Sequence, residues 1–209
     1  MVFHLPRVYP ITDTDLSGLS HGEQVERLIA GGATLIQLRD KRAAPRDFYR
    51  QAEAALKISR KHDVQLIIND RVDIALALRA DGVHLGQSDL PVEAARHLLG
   101  DKSIIGISTH NLAQAELAAT LPVDYVAFGP IFETATKEKP DPITGLESLR
   151  AVRAIVGSLP LVAIGGFTLA NAPEAWQAGA DAVSSIAALV SDPSRIAENL
   201  SQMLARNLE

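Results

Sequence analysis

Cysteine is absent from the 209 residues. That excludes disulfides, thiolate metal sites, iron–sulfur clusters and cysteine nucleophiles together. No stretch approaches the ~18 uninterrupted apolar residues of a membrane-spanning helix. Residues 1–10 lack the apolar run of about 7–15 residues that marks a secretory leader, so a cytoplasmic chain without a membrane partner is expected. A strong excess of one charge is also missing. Twenty Lys and Arg stand against 25 Asp and Glu, a net charge of −5, which argues against a surface built for nucleic acid. No Gly-x-Gly-x-x-Gly follows the first apolar run and no Gly-x-Ser-x-Gly occurs, so neither a dinucleotide cradle nor a nucleophile elbow has support.

What is present is an alternation. With 47% apolar and 22% charged residues, the composition is that of an ordinary globular domain, and the length suits one domain spanning 1–209. Short apolar runs at 8–11, 35–38, 66–68, 82–85, 104–107, 125–128, 161–164 and 181–184 are rich in Val and Ile, as parallel strands covered on both faces are. Between them lie helix-period segments. Val25, Leu28 and Ile29 share one face, Phe48, Ala52, Leu56 and Ser59 another, and Leu146, Leu149, Val152 and Val156 a third. The helix over 73–78 is short, and Asp192-Pro193 starts the last one. No internal repeat is evident. Eight strand–helix units predict an α/β fold, a single-domain (β/α)8 TIM barrel; a doubly wound open sheet is the alternative.

In such barrels chemistry sits at the C-terminal ends of the strands, and those positions are polar throughout. Gln37, Arg39 and Lys41 alternate along an extended chain and suit a multiply charged anion; the alternative is surface pairing of Arg39 or Lys41 with a carboxylate. Asp70 and Asp89 follow adjacent strands with Asn69 beside them, a donor set suited to Mg²⁺. The alternative pairs Asp70 with Arg71 and makes Asp89 a cap for a helix at Leu90-Pro91. Gly165-Gly166 permits close approach of backbone to a phosphate. Thr134, Thr136 and Lys137 add two hydroxyls and an ammonium within the long connection 129–144. His84 reads as a hydrogen-bonded interior histidine, His110 as a rim or cap residue, and Ser108 has no evident base. Two anion sites on one rim point to group transfer, with a diphosphate as leaving group.

The ordered set Gln37-Leu38-Arg39-Asp40-Lys41, Asn69-Asp70-Arg71, Gly82-Val83-His84-Leu85-Gly86-Gln87-Ser88-Asp89, Ser108-Thr109-His110, Gly129-Pro130, Thr134-Ala135-Thr136-Lys137 and Gly165-Gly166 resembles the thiamine-phosphate synthase family over nearly the whole chain. The resemblance implies a Mg²⁺-dependent (β/α)8 barrel that joins a hydroxymethylpyrimidine diphosphate to a thiazole phosphate and releases pyrophosphate. It implies that Gln37, Arg39, Lys41, Asn69, Ser108 and Lys137 hold the pyrimidine diphosphate, with Arg39, Lys41 and Lys137 catalytic. Leu38, Asp40 and Ala135 are carried along as members of the binding segments. Asp70 and Asp89 would bind Mg²⁺. Thr134, Thr136, Gly166 and the backbone at Ile186 and Ala187 would hold the thiazole phosphate. Ala187 stands where the family usually has Ser. The expected partners are these small molecules; assembly with copies of itself stays open. A thiazole tautomerase and a non-catalytic barrel sensing a thiamine precursor are the rivals.

Overall fold

Every apolar run forms a strand in the computed structural model, which describes residues 3–134 and 141–206. The strands are β1 (Val8–Thr12), β2 (Leu35–Leu38), β3 (Gln65–Asn69), β4 (Gly82–Leu85), β5 (Ile104–Thr109), β6 (Tyr125–Phe128), β7 (Leu161–Ile164) and β8 (Ala182–Ser185). Each pairs in parallel with the next, and β8 closes on β1 with Tyr9 opposite Ser184. The (β/α)8 barrel expected from the alternation is the fold.

Period two along the strands separates two apolar clusters. Ile36, Leu38, Ile68, Val83, Val126 and Val183 point outward under the helices. Tyr9, Leu35, Ile67, Ile104, Tyr125 and Val162 point inward and fill the bore, with Phe3 and Leu5 packed against its lower end. Gly106 makes room for the largest of these: a Cβ there would stand 2.0 Å from Tyr125 Cζ. The helices bury the expected faces, including Phe48, Ala52, Leu56 and Ser59 on Pro45–Arg60 and Leu149, Val152 and Val156 on Gly145–Val156.

Several boundaries differ from expectation. The short helix begins at Val72. The turn after Asp192 is a 3₁₀ segment, Pro193–Arg195, before the α-helix Ile196–Ala205 starts. Asp192 does cap it, accepting the Ser194 N–H at 3.0 Å. Two short helices at the mouth, Thr14–Ser17 and Ala187–Val190, carry too few residues to show a period.

The N-terminal floor of the barrel holds two similar clamps. Arg96 binds Asp124 at 2.7 Å and the Ser103 carbonyl at 2.6 Å, while Asp124 Oδ2 accepts the Ile105 N–H at 2.8 Å. Arg153 binds Asp181 at 2.8 Å and the Leu159 carbonyl at 2.6 Å, while Asp181 Oδ2 accepts the Leu161 N–H at 2.8 Å. Each Arg also donates to the carbonyl four residues on, Gly100 or Gly157. Arg96, Gly100 and Asp124 stand 57 residues before Arg153, Gly157 and Asp181, whereas Ser103 and Ile105 stand 56 before Leu159 and Leu161. The likeness lies in the hydrogen bonding rather than in the sequence.

Candidate active site

The C-terminal ends of the strands open into a cavity of about 580 Å³. Alternation decides which residues of 37–41 reach it. Gln37, Arg39 and Lys41 line it, while Leu38 is fully buried in the outer shell. Asp40 turns away as well: its Oδ1 accepts the N–H groups of Arg42 at 2.9 Å and Ala43 at 2.7 Å, and its Oδ2 the Thr14 hydroxyl at 3.4 Å. Of the five side chains, three face the cavity, while those of Leu38 and Asp40 pack or hydrogen-bond away from it. The end of β2 is fixed by Thr12, whose hydroxyl donates to the Gln37 carbonyl at 3.3 Å and accepts the Arg39 N–H at 3.4 Å. His21 Nδ1 stands 2.7 Å from the same oxygen, and burial holds this imidazole down to about 4.

Arg39 lines the mouth and is also paired, with Nη1 3.2 Å from Asp13 Oδ2. Lys41 pairs with Asp70. The bland alternatives for the two carboxylates fail. Arg71 binds Asp73, at 2.8 Å through Nε, rather than Asp70. The helix Val92–Leu99 has Pro91 at its cap with no side-chain bond, so Asp89 caps nothing; its Oδ2 accepts the Gly86 N–H at 2.7 Å. Asp70 sits at φ 62°, in the left-handed region that non-glycine residues seldom occupy. Burial pushes the Asp89 carboxyl up, and the facing Asp70 carboxylate adds to the rise against the Gly86 N–H and Lys41. Beside them Asn69 is buried with an Nδ2 that has no partner among the described residues. Strain, crowded like charge and an orphaned donor meet at one strand end, a combination typical of functional sites.

Beneath this, a hydrogen-bond chain crosses the bore. Gln37 Nε2 donates to the Tyr9 hydroxyl at 3.2 Å, and the Tyr9 and Tyr125 hydroxyls are 3.0 Å apart. His84 Nδ1 lies 2.8 Å from the Tyr125 hydroxyl and its Nε2 2.8 Å from Ser108 Oγ. His84 is the interior histidine expected, held neutral by burial with its pKa down to about 4. Burial likewise pushes both tyrosines up. An imidazole thus stands beside Ser108. The register places His84 opposite Gly106, and Ser108 is the next residue on that face. No triad results, because Nδ1 meets a phenol rather than a carboxylate.

The opposite side of the mouth is backbone. Gly165 (φ 103°) and Gly166 (φ 69°) bend the chain after β7. A Cβ at Gly166 would stand 2.4 Å from the Glu133 carbonyl oxygen and 2.7 Å from Phe132 Cβ. The pair therefore makes room for the loop after β6, not only for a ligand. Gly166, Ile186 and Ala187 line the cavity with Thr134. The N–H groups of Gly166 and Ala187 form no hydrogen bond among the described residues. Ser184 and Ser185 cannot stand in for the usual Ser at 187 with free protons: they donate to the carbonyls of Tyr9 at 2.8 Å and Phe167 at 3.0 Å. Phe167 is buried edge-on against Phe132, centroids 5.4 Å apart. His110 is a rim residue, its Nδ1 2.6 Å from the Gly129 carbonyl. Ala135, Thr136 and Lys137 lie outside the described residues.

A closed (β/α)8 barrel with cations, carboxylates and backbone N–H groups gathered at its mouth is the architecture of a barrel enzyme. The family model described as thiamine monophosphate synthase matches residues 8–189. The chain belongs to that family, and membership makes it a transferase. It is 47% identical over 185 residues to the thiamine-phosphate synthase of Chloroflexus aurantiacus, covering 88% of this chain and 85% of that one. It is 46% identical to the Clostridium novyi synthase, covering 88% and 90%. The solved thiamine phosphate pyrophosphorylase of Pyrococcus furiosus superposes with a TM-score of 0.85 at 33% identity, covering 97% of both chains. Two of these relatives are named as synthases and the third as a pyrophosphorylase; the tautomerase and the sensor gain no support. No helix among the described residues is long and apolar enough to cross a membrane.

Proposed function

We propose that the chain joins the methylene carbon of a hydroxymethylpyrimidine diphosphate to the ring nitrogen of a thiazole phosphate. The carbon–oxygen bond breaks and its electron pair leaves with pyrophosphate. The nitrogen lone pair then forms the new carbon–nitrogen bond, giving thiamine phosphate. No proton changes hands in bond making or breaking, which agrees with a mouth that has no base in a triad.

The observation that carries this reading is the asymmetry of the mouth. On one side stand Arg39, Lys41, the unpartnered Asn69 Nδ2 and the facing Asp70 and Asp89; on the other, the free N–H groups of Gly166 and Ala187. The first side suits the diphosphate and the second the single phosphate. Asp70 and Asp89 fit Mg²⁺, since two carboxylates crowded together are relieved by a hard dication whose other ligands are phosphate and water. Among the described residues no third His, Cys, Asp or Glu joins them, as expected where the substrate completes the shell. When bound, the ion supplies positive charge to the departing diphosphate. Arg39, Lys41 and Asn69 hold that diphosphate, and Lys137 meets the charge that grows on the bridging oxygen. Gln37 and Ser108 hold the pyrimidine. Thr134, Thr136, Gly166, Ile186 and Ala187 align the thiazole phosphate with the electrophilic carbon. Purified protein incubated with both substrates and Mg²⁺ is expected to form thiamine phosphate and pyrophosphate in equal amounts. Pyrophosphate without thiamine phosphate, or neither, would reject the reading.

A further inference from the structure

The chain through the bore ends on two residues of the mouth, and its direction is set at the Gln37 end. Tyr9 Oη accepts from Gln37 Nε2, so the Tyr9 proton goes on to Tyr125 and the Tyr125 proton to His84 Nδ1. A neutral imidazole without a proton on Nδ1 carries it on Nε2 and donates to Ser108 Oγ. Ser108 then keeps its own proton for the mouth. The opposite sense has Ser108 donating inward and requires the Gln37 amide turned over, with Oε1 rather than Nε2 toward the Tyr9 hydroxyl.

We propose that Tyr125 is a positioning residue for the bound ring: by donating to His84 Nδ1 it fixes the Nε2–H tautomer, so that Ser108 faces the ligand as a donor and Gln37 faces it with Oε1 as an acceptor. Tyr125 itself is fully buried and does not line the mouth. Its ring crosses the bore in the space that Gly106 vacates, stacked on His84 with centroids 5.5 Å apart and edge-on to Tyr9 at 5.7 Å. Gln37 Oε1 forms no hydrogen bond among the described residues. One donor and one acceptor match a ring that offers an amino N–H and a bare ring nitrogen, an aminopyrimidine. The oxo counterpart offers C=O and ring N–H, the opposite polarity, and is rejected because it leaves polar groups unmatched. The identity of the ring rests on the proposed function; the polarity of the chain does not.

Nitrogen-15 NMR of the imidazoles, with His84 assigned by its loss in His84→Asn, is expected to show protonated Nε2 and bare Nδ1 in the wild-type protein. Protonated Nδ1 would overturn the proposal. Tyr125→Phe keeps the ring and removes the oxygen. It is expected to give a mixture of tautomers and to raise KM for the pyrimidine diphosphate about tenfold, the scale of one hydrogen bond. In a Ser108→Ala background it should cost nothing further. An equal cost in both backgrounds would mean that Tyr125 serves packing alone. Should Tyr125→Phe not fold, binding of the amino- and oxopyrimidine diphosphates to wild-type protein decides: the amino form is expected to bind at least about tenfold more tightly, and equal binding overturns the inference. A protein with the Nε2–H tautomer but no synthase activity would overturn the function and leave the polarity of the chain standing.

Discussion

The two ends of this barrel are charged in different ways. At the floor, Arg96 and Arg153 each meet a carboxylate and several carbonyls of their own chain, and among the described residues the Nε atoms of Arg7 and Arg153 are the guanidinium nitrogens left buried without a partner. At the mouth, Asn69 Nδ2 has no partner, Asp70 holds a left-handed backbone, and Asp89 is crowded by Asp70. Charges whose hydrogen bonds are met by the protein stabilise the fold. Groups left strained or unmet are poised for something the chain does not itself contain. The comparison separates residues by what they lack, which residue type alone cannot do.

The sharpest cut is at Asp89. Asp89→Ser keeps a hydroxyl for the Gly86 N–H but removes the charge a dication requires. Activity at low Mg²⁺ is expected to fall by on the order of 10²–10³-fold, with the melting temperature nearly unchanged. Full activity would move Asp89 to the structural side of the comparison. Next comes Lys137→Ala, expected to slow kcat by about 10²-fold because the ammonium acts most as the diphosphate departs. Lys139→Ala, two residues on, is expected to be nearly silent. Steady-state kinetics of the pair check this, and equal losses would reject the assignment.

At the floor the expectation reverses. Arg96→Ala strips Asp124 and three carbonyls of their donor and should lower unfolding free energy by about 2–3 kcal/mol. Specific activity of the folded fraction should be unchanged; urea titration and kinetics on one sample measure both. The gentlest probe is pH. Burial holds His21 and His84 at about 4, against about 6.5 in the unfolded chain. Between those values the unfolded state binds the protons that the native state refuses. Stability is therefore whole above pH 6.5 and declines as pH falls toward 4, by about 1.4 kcal/mol per pH unit for each histidine. Urea midpoints between pH 7 and 5 should show the slope, and His21→Asn should halve it.

Much of the site was legible in order along the chain. Gln37, Arg39, Lys41, Asn69, Asp70 and Asp89 sit at strand ends, and a barrel brings all strand ends to one rim. Which of them face the mouth was legible only by period: Leu38 and Asp40 look like members of the segment until alternation turns them away. The tasks of Asp70 and Asp89 were ambiguous, because Arg71 and Pro91 are neighbours in sequence as good as any in space. Tyr9 and Tyr125 gave no functional signal, since an aromatic residue in a buried strand reads as core.

The sequence by itself determined the barrel. Eight apolar runs of strand length can bury both faces only if helices cover the outside and the bore is filled, and local periodicity carries that information. It also determined that the rim is polar. Only the tertiary structure decided the pairings: Lys41 with Asp70, Arg71 with Asp73, Asp89 with the Gly86 N–H, and the chain from Gln37 through Tyr125 to Ser108. Hydrogen bonds are short and directional, so which groups meet depends on strand register and on the space left by Gly106. Those are properties of the closed barrel and of no single segment of the chain.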